Sequence, residues 1–208
     1  MGLINLLMKD PLAFIIIAVP LTYSIIFHEL AHGWVAWKMG DPTAKLMGRL
    51  SLSPLKHLDP MGTLMLFVVG FGWARPVPVN FNNLRGKRSA HIFVSAAGIV
   101  VNMLLAFISL FLLRFLALPS HGIAATMLYY MAHINIILAA FNLIPIPPLD
   151  GSKILMGFLP ARLQYSLSRL EPYGFFIIIG LLFFGILDPL IDFFRWLILS
   201  IIGVLLMR

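Results

Sequence analysis

The chain has no cysteine. A disulfide framework, a thiolate metal ligand and a cysteine nucleophile are therefore excluded, and cysteine usage leaves the redox compartment open. Charge is scarce as well. Asp, Glu, Lys and Arg make up 11% of the 208 residues, less than half of the ~25% usual in soluble domains. No polar linker of tens of residues divides the sequence, so one unit is expected over 1–208. What the chain does have is apolar bulk, 61% of all residues, against roughly 45–50% in a soluble domain. A soluble protein of this size cannot bury that much and still cover itself with polar groups. A soluble enzyme, a disordered tail and a nucleic-acid-binding domain are all excluded, and the partner the composition demands is a lipid bilayer.

The apolar segments set the expected architecture. A helix needs roughly 20 apolar residues to cross the hydrocarbon core. Leu12–Trp37, Ile92–Leu118 and Ile123–Ile144 are long enough, with Pro20 expected to kink the first or to start a second piece. Tyr173–Leu187 and Leu190–Met207, separated only by Asp188-Pro189, read as a helical hairpin, and the first of these is short. The N-terminal run lacks a small-residue cleavage pattern and carries the most chemically loaded residues, so it reads as a mature span and not as a signal peptide. Gly62–Trp73 is too short to span as helix and reads as re-entrant or interfacial. The following Ala74-Arg75-Pro76-Val77-Pro78-Val79-Asn80 favours extended backbone. Such backbone is tolerated at membrane depth only beside protein or a watery cavity. The expected fold is an all-α polytopic membrane protein with about five transmembrane helices plus a short re-entrant strand or loop.

The net charge of +7 records topology. Lys38, Lys45, Arg49, Lys56, Arg75, Arg85, Lys87, Arg88, Lys153, Arg162, Arg169 and Arg208 fall on one side if Gly62–Trp73 dips in and returns. Basic loops stay cytoplasmic, which makes that side the cytosol. A basic patch for anionic lipid is compatible with the same arrangement.

His28-Glu29-Leu30-Ala31-His32 is an H-E-x-x-H sequence on a predicted helix. Positions i and i+4 share a face, so both imidazoles can reach one metal, with Glu29 beside them to take a proton from activated water. With six His in the chain, a chance match is expected roughly once in a thousand such sequences. Ionisable residues inside an apolar span are also expensive without partners or function. A catalytic zinc needs a third protein ligand. Asp150 stands just after the proline-broken run Asn142-Leu143-Ile144-Pro145-Ile146-Pro147-Pro148-Leu149 and before Gly151, where it is either a ligand or a turn residue. Buried Asn amides can donate to an oxyanion or a substrate carbonyl, and Asn142 and Asn102 are the candidates. The alternative for both is helix–helix hydrogen bonding, which is the favoured reading for Asn102 and the lesser one for Asn142. His133 is expected to bond within the bundle, and His57, His91 and His121 to lie at the interfaces.

H-E-x-x-H in the first core span together with N-x-x-P-x-P-x-x-D-G in a later one resembles the site-2 protease family of intramembrane zinc metalloproteases. The small-residue run Ala96-Ala97-Gly98 leading to Asn102 is similar to a further family motif, although Ile99 stands where the family often has proline. Gly72–Asn80 is similar to the region that forms a re-entrant strand hairpin in the family. The resemblance implies that His28, His32 and Asp150 bind Zn2+, that Glu29 is general base and then proton donor, and that Asn142 hydrogen-bonds the substrate backbone near the scissile bond. It also implies transmembrane proteins or peptides as substrates, cut near the cytoplasmic leaflet. The chain is compact and leaves no room for the PDZ or CBS module that some relatives carry. Its size without a targeting sequence points to a prokaryotic cell membrane.

A helical substrate must unwind before water can attack it, and freed backbone groups cost several kcal/mol each in lipid. Strand addition to an enzyme edge would satisfy them, and Pro76–Asn80, or else Gly70–Trp73, could supply that edge. Two other classes compete: a membrane metal-binding or metal-transport protein, and a catalytically dead scaffold. A transporter needs several carboxylate or His stations at depth, and a structural zinc has no use for Glu29.

Overall fold

The computed structural model describes residues 3–69, 72–116, 118–119 and 122–207. A short helix α1 (Leu3–Lys9) leads into α2 (Pro11–Lys38). Asp10 separates them by capping α2: its side chain accepts from the Ala13 N–H at 3.0 Å, and Pro11 occupies the first turn, where no N–H is needed. α2 continues without a break through Pro20, so no second piece starts there. A short α3 (Thr43–Leu46) and a ten-residue α4 (Pro60–Val69) follow. Then come α5 (Lys87–Phe115), α6 (Ile123–Leu143), α7 (Asp150–Phe158), α8 (Ala161–Ser168), α9 (Gly174–Phe183) and α10 (Asp188–Leu206).

Five stretches are long and apolar enough to cross a membrane: Pro11–Lys38, Arg88–Phe115, Ile123–Leu143, Ala161–Phe183 and Asp188–Leu206. The chain is an all-helical multi-pass membrane protein. The fourth stretch lies further upstream than the sequence suggests. Ten residues of α9 rise only about 15 Å, and α8 with the short turn before α9 supplies the rest of the length.

α5 is the centre of the bundle and packs against α2, α6 and α7. Its Ile99 and Ala106 meet Ile136, Ala139 and Ala140 of α6 and Ile198 and Ile202 of α10. Alanine at these contacts lets the helix backbones approach closely, which is how helices associate in lipid. A second cluster of Ile144, Leu149, Ile178 and Leu187 pins the proline-rich end of α6 against α9. Gly151 is needed at this fold-back, because a Cβ there would meet the Leu143 and Ile144 carbonyls.

The region expected to re-enter is a helix, α4, followed by extended chain over 72–80. Among the described residues the strand component shrinks to one antiparallel bridge, Leu58 with Ala74, and Arg75 N–H donates to the His57 carbonyl at 2.8 Å. The reason is chemical. Pro76 and Pro78 have no N–H to give a ladder, and the Val77 and Asn80 N–H groups donate to carboxylates. Gly70 and Phe71, half of the alternative edge Gly70–Trp73, lie outside the described residues, as does His121. His57 is buried, with Nε2 donating to the Ser51 carbonyl at 2.7 Å. His133 stacks on Tyr129 within its own helix.

Deep in the bundle, Asn135 Nδ2 of α6 donates to Ser24 Oγ of α2 at 2.7 Å, and both residues are fully buried. Interhelical bonds of this kind contribute on average about 0.6 kcal/mol. Asn135→Ala should therefore lower stability by roughly 0.5–2 kcal/mol, read as a shifted midpoint in unfolding from mixed detergent micelles, without altering helix content.

Candidate metal centre

One turn of α2 brings His28 and His32 to the same face, and the fold-back after α6 delivers Asp150 to them. The two Nε2 atoms lie 3.0 Å apart. Asp150 Oδ2 is 3.1 Å from Nε2 of His28 and 3.0 Å from Nε2 of His32. All three residues are buried. They are a group able to hold a metal ion among the described residues.

The far nitrogens of both rings fix what the near ones offer. His32 Nδ1 is 2.7 Å from the Val94 carbonyl, which can only accept, so Nδ1 carries the hydrogen. His28 Nδ1 is 3.2 Å from Asn102 Oδ1 and donates likewise. Each neutral ring then presents a bare Nε2. Asp150 Oδ2, buried and without a hydrogen-bond donor, faces both. Three acceptors thus converge on one point, an arrangement that only a cation or added protons can stabilise. The donor set of two imidazoles and one carboxylate suits a tetrahedral ion with one position left open. Bonds of ~2.0–2.1 Å would separate its ligand atoms by about 3.3 Å, close to the separations here.

α5 accommodates this through a stripe at four-residue intervals: Val94, Gly98 and Asn102. Gly98 lies flush against both imidazoles, and a Cβ there would collide with them. Asn102 is fully buried behind His28 and is not among the residues lining the adjoining cavity. The contact it makes is to the His28 ring.

A cavity of about 500 Å3 opens on the triad, lined by Glu29, Trp73, Val77, Asn142 and Lys153 among others. Asn142 Nδ2 donates to the Leu138 carbonyl of its own helix at 3.0 Å, which leaves its second N–H and its Oδ1 for the cavity. Lys153 Nζ stands 3.6 Å from Asp150 Oδ1, one turn along α7. A hollow of about 780 Å3 between α2 and α5, lined by Phe27, Leu30, Trp34 and Phe93 among others, shares none of these residues and is almost wholly apolar.

Glu29 is held from the extended segment: its Oε2 accepts from the Val77 N–H at 2.7 Å. Two further buried charges bind that segment. Arg49 Nη2 donates to the Arg75 carbonyl at 2.7 Å, and Asp41 Oδ2 accepts from the Asn80 N–H at 2.7 Å. Burial alone would raise the Asp41 pKa, but hydrogen bonds from Thr43, Asn83 and the Asn80 amide outweigh it and hold the carboxyl below its ordinary value. Arg49 is lowered by burial and by nearby Arg75, partly offset by Glu29.

The sequence singled out His28, His32, Glu29, Asp150 and Asn142, and all five border this cavity. It did not identify what the ring Nδ1 atoms bond to. The i, i+4, i+8 spacing of Val94, Gly98 and Asn102 matches the i, i+4 spacing of the two histidines and is the signal that could have found them.

The sequence profile of peptidase family M50 matches residues 114–185, a stretch that includes Asn142 and Asp150. The chain is 41% identical over 192 residues to the Bacillus subtilis protein named "Putative zinc metalloprotease YwhC", covering 88% of this chain and 85% of that one. It is 32% identical over 177 residues to a Mycolicibacterium smegmatis protein, Rip2, named in the same words, covering 81% and 67%. The Mycobacterium tuberculosis (strain H37Rv) Rip2 is 29% identical over 181 residues, covering 81% and 70%. No solved structure matches the chain.

Two outcomes are expected here. Gly98→Ala should weaken metal binding by about 10–100-fold, measured by competition with a chelating dye, with helix content unchanged by circular dichroism. Because the folded Asp41 carboxyl titrates below its unfolded value, its contribution is complete above the ordinary carboxylate range and is lost as pH falls through the lower folded value. Thermal scans should show stability dropping on that acid side, and Asp41→Asn should flatten the drop.

Proposed function

We propose that this chain, which belongs to peptidase family M50, the site-2 protease family, is a zinc-dependent endopeptidase that cuts transmembrane proteins or peptides within the bilayer. Residues 1–208 act as a single membrane-embedded metalloprotease domain. The observation that carries this reading is the convergence of two bare imidazole nitrogens and a buried carboxylate oxygen within 3.1 Å of one another. They lie beside Glu29 and a cavity, inside an apolar helix bundle.

His28, His32 and Asp150 would hold the zinc. When bound, zinc supplies Lewis acidity: it shifts the pKa of water towards ~7 and polarises a carbonyl oxygen. The chain's own groups do the rest. The Val94 carbonyl and Asn102 keep both rings in the tautomer that offers Nε2. Lys153 offsets the charge of Asp150 from the other carboxylate oxygen. Glu29 accepts the proton of the attacking water and passes it to the leaving amine. With one oxygen held by Val77, the Oε1 atom is the one that moves protons. Asn142 has an N–H and an oxygen to offer, and so can grip a substrate backbone that has lost its helical bonds.

Such a substrate arrives with its own polar groups exposed. The donor side of the Pro76–Asn80 edge is largely engaged, so its carbonyls are the pairing groups for an unwound substrate strand. With the segment around α4 dipping in and returning, Lys153 and the basic loops fall on one side of the bundle. The positive-inside rule makes that side the cytosol, and cleavage falls near the cytoplasmic leaflet. Transport of metal would need a succession of stations at depth. Among the described residues His28, His32 and Asp150 are the one group that could hold an ion.

The test pairs zinc content with cleavage of a transmembrane peptide, for wild type and Glu29→Gln in liposomes. About one zinc per chain is expected in both, with cleavage reduced at least ~100-fold in the variant. Equal cleavage by both proteins would remove Glu29 from the mechanism, and absence of zinc from wild type would overturn the reading.

A further inference from the structure

We propose that Asp41 and Arg49 are positioning residues that hold the extended segment in place so that the Val77 N–H fixes Glu29. The proposal rests on the reading of Glu29 as the proton-transfer group and assigns the residues that set its position.

Asp41 is fully buried and Arg49 nearly so. Neither makes an ion pair among the described residues, whose ion pairs are those of Asp150 and of Asp192 with Arg195. Buried charges without an ionic partner are costly, and they persist where hydrogen bonds compensate and a task requires them. Each makes one hydrogen bond to the backbone of the same short segment, and Thr43 and Asn83 complete the shell of Asp41. Arg49 donates to the carbonyl of Arg75, and Asp41 accepts from the amide of Asn80. Glu29 accepts from Val77, between those two points. Three charged side chains from α2 and the loop after it thus grip three backbone groups of residues 75–80.

The segment is built to transmit that grip. Pro76 and Pro78 flank Val77, and each fixes its own φ near −65°. They also push the residue before them towards extended conformations. Displacing either anchor therefore shifts Val77, where a freely jointed chain would absorb the change. Asp41 is itself fixed, since Oδ1 accepts from Asn83 Nδ2 at 2.9 Å and from the Thr43 hydroxyl. Val77 is also anchored by its side chain, which packs against Gly33 one turn beyond Glu29. None of the three metal-centre residues bonds to this segment: they are held from α2, α5 and α7. Loss of the clasp should misplace Glu29 and leave the three metal-centre residues where they are.

The experiment uses the full chain in liposomes, with Arg49→Met, Asp41→Ala and the conservative Arg49→Lys and Asp41→Asn. Three quantities are read: zinc per chain, hydrogen exchange at the Val77 amide, and kcat and KM on a transmembrane peptide. Arg49→Met and Asp41→Ala should retain wild-type zinc and speed Val77 exchange at least about tenfold. They should lower kcat about 100-fold, the cost of misplacing a reacting group by about 1 Å, with KM within about threefold. The conservative pair, which keep a donor and an acceptor, should recover part of both effects. Unchanged Val77 exchange in all four variants would overturn the clasp. Faster exchange with unchanged kcat would overturn its link to Glu29, and zinc lost in step with exchange would assign the two residues to the scaffold instead. A wild type that binds zinc but cleaves nothing would contradict the peptidase reading, while the exchange measurement would still decide the clasp.

Discussion

Three lone pairs aimed at one point inside an apolar bundle repel one another, and the burial of all three side chains strengthens that repulsion. Positive charge among them removes the conflict, and the rest of the architecture serves to keep His28, His32 and Asp150 in that relation. α2 supplies the histidines by simple helical spacing. α5 presses against them with Gly98, where no Cβ would fit, and turns both rings with the Val94 carbonyl and Asn102. The proline-rich break after α6 lets Asp150 start a new helix within 3.1 Å of both rings. An uninterrupted α6 would have carried that carboxylate past the site.

The same economy of polar groups governs the approach to the centre. Extended backbone beside the cavity would ordinarily leave unpaired amides in a poorly hydrated place. Here two of its positions are prolines, and two of its amides donate to Glu29 and Asp41. Satisfying the backbone and aiming the Glu29 carboxylate are one interaction viewed from its two ends. A strand ladder in that region, as expected from the family resemblance, would compete for the Val77 amide that Glu29 uses.

Much of this was legible in the sequence for a definite reason. Lipid forces helices to be long and apolar, so the spans could be counted from hydropathy, and an ionisable H-E-x-x-H in such a span has few bland explanations. Asp150 was legible because prolines mark a helix break. Contacts that depend on packing angle were not legible. Asn102 stayed a candidate substrate ligand beside its helix-bonding reading, because nothing in sequence says which face of α5 meets His28. The burial of His57 was not legible, because it comes from the Ser51 loop folding over it. The fourth span was placed too far downstream, since α8 is weakly apolar and joins α9 only through a short turn. Arg49 read only as one of the topology-setting cations and Asp41 drew no reading, because their partners are backbone groups 26 and 39 positions away.

X-ray absorption at the zinc edge of the purified chain tests the central claim most directly. The account predicts a shell of nitrogen and oxygen only, at about 2.0–2.2 Å, with outer scattering from two imidazoles that falls to one when His32 is replaced by Ala. Zinc with a single imidazole in wild type, or an edge spectrum unchanged by that replacement, would contradict it.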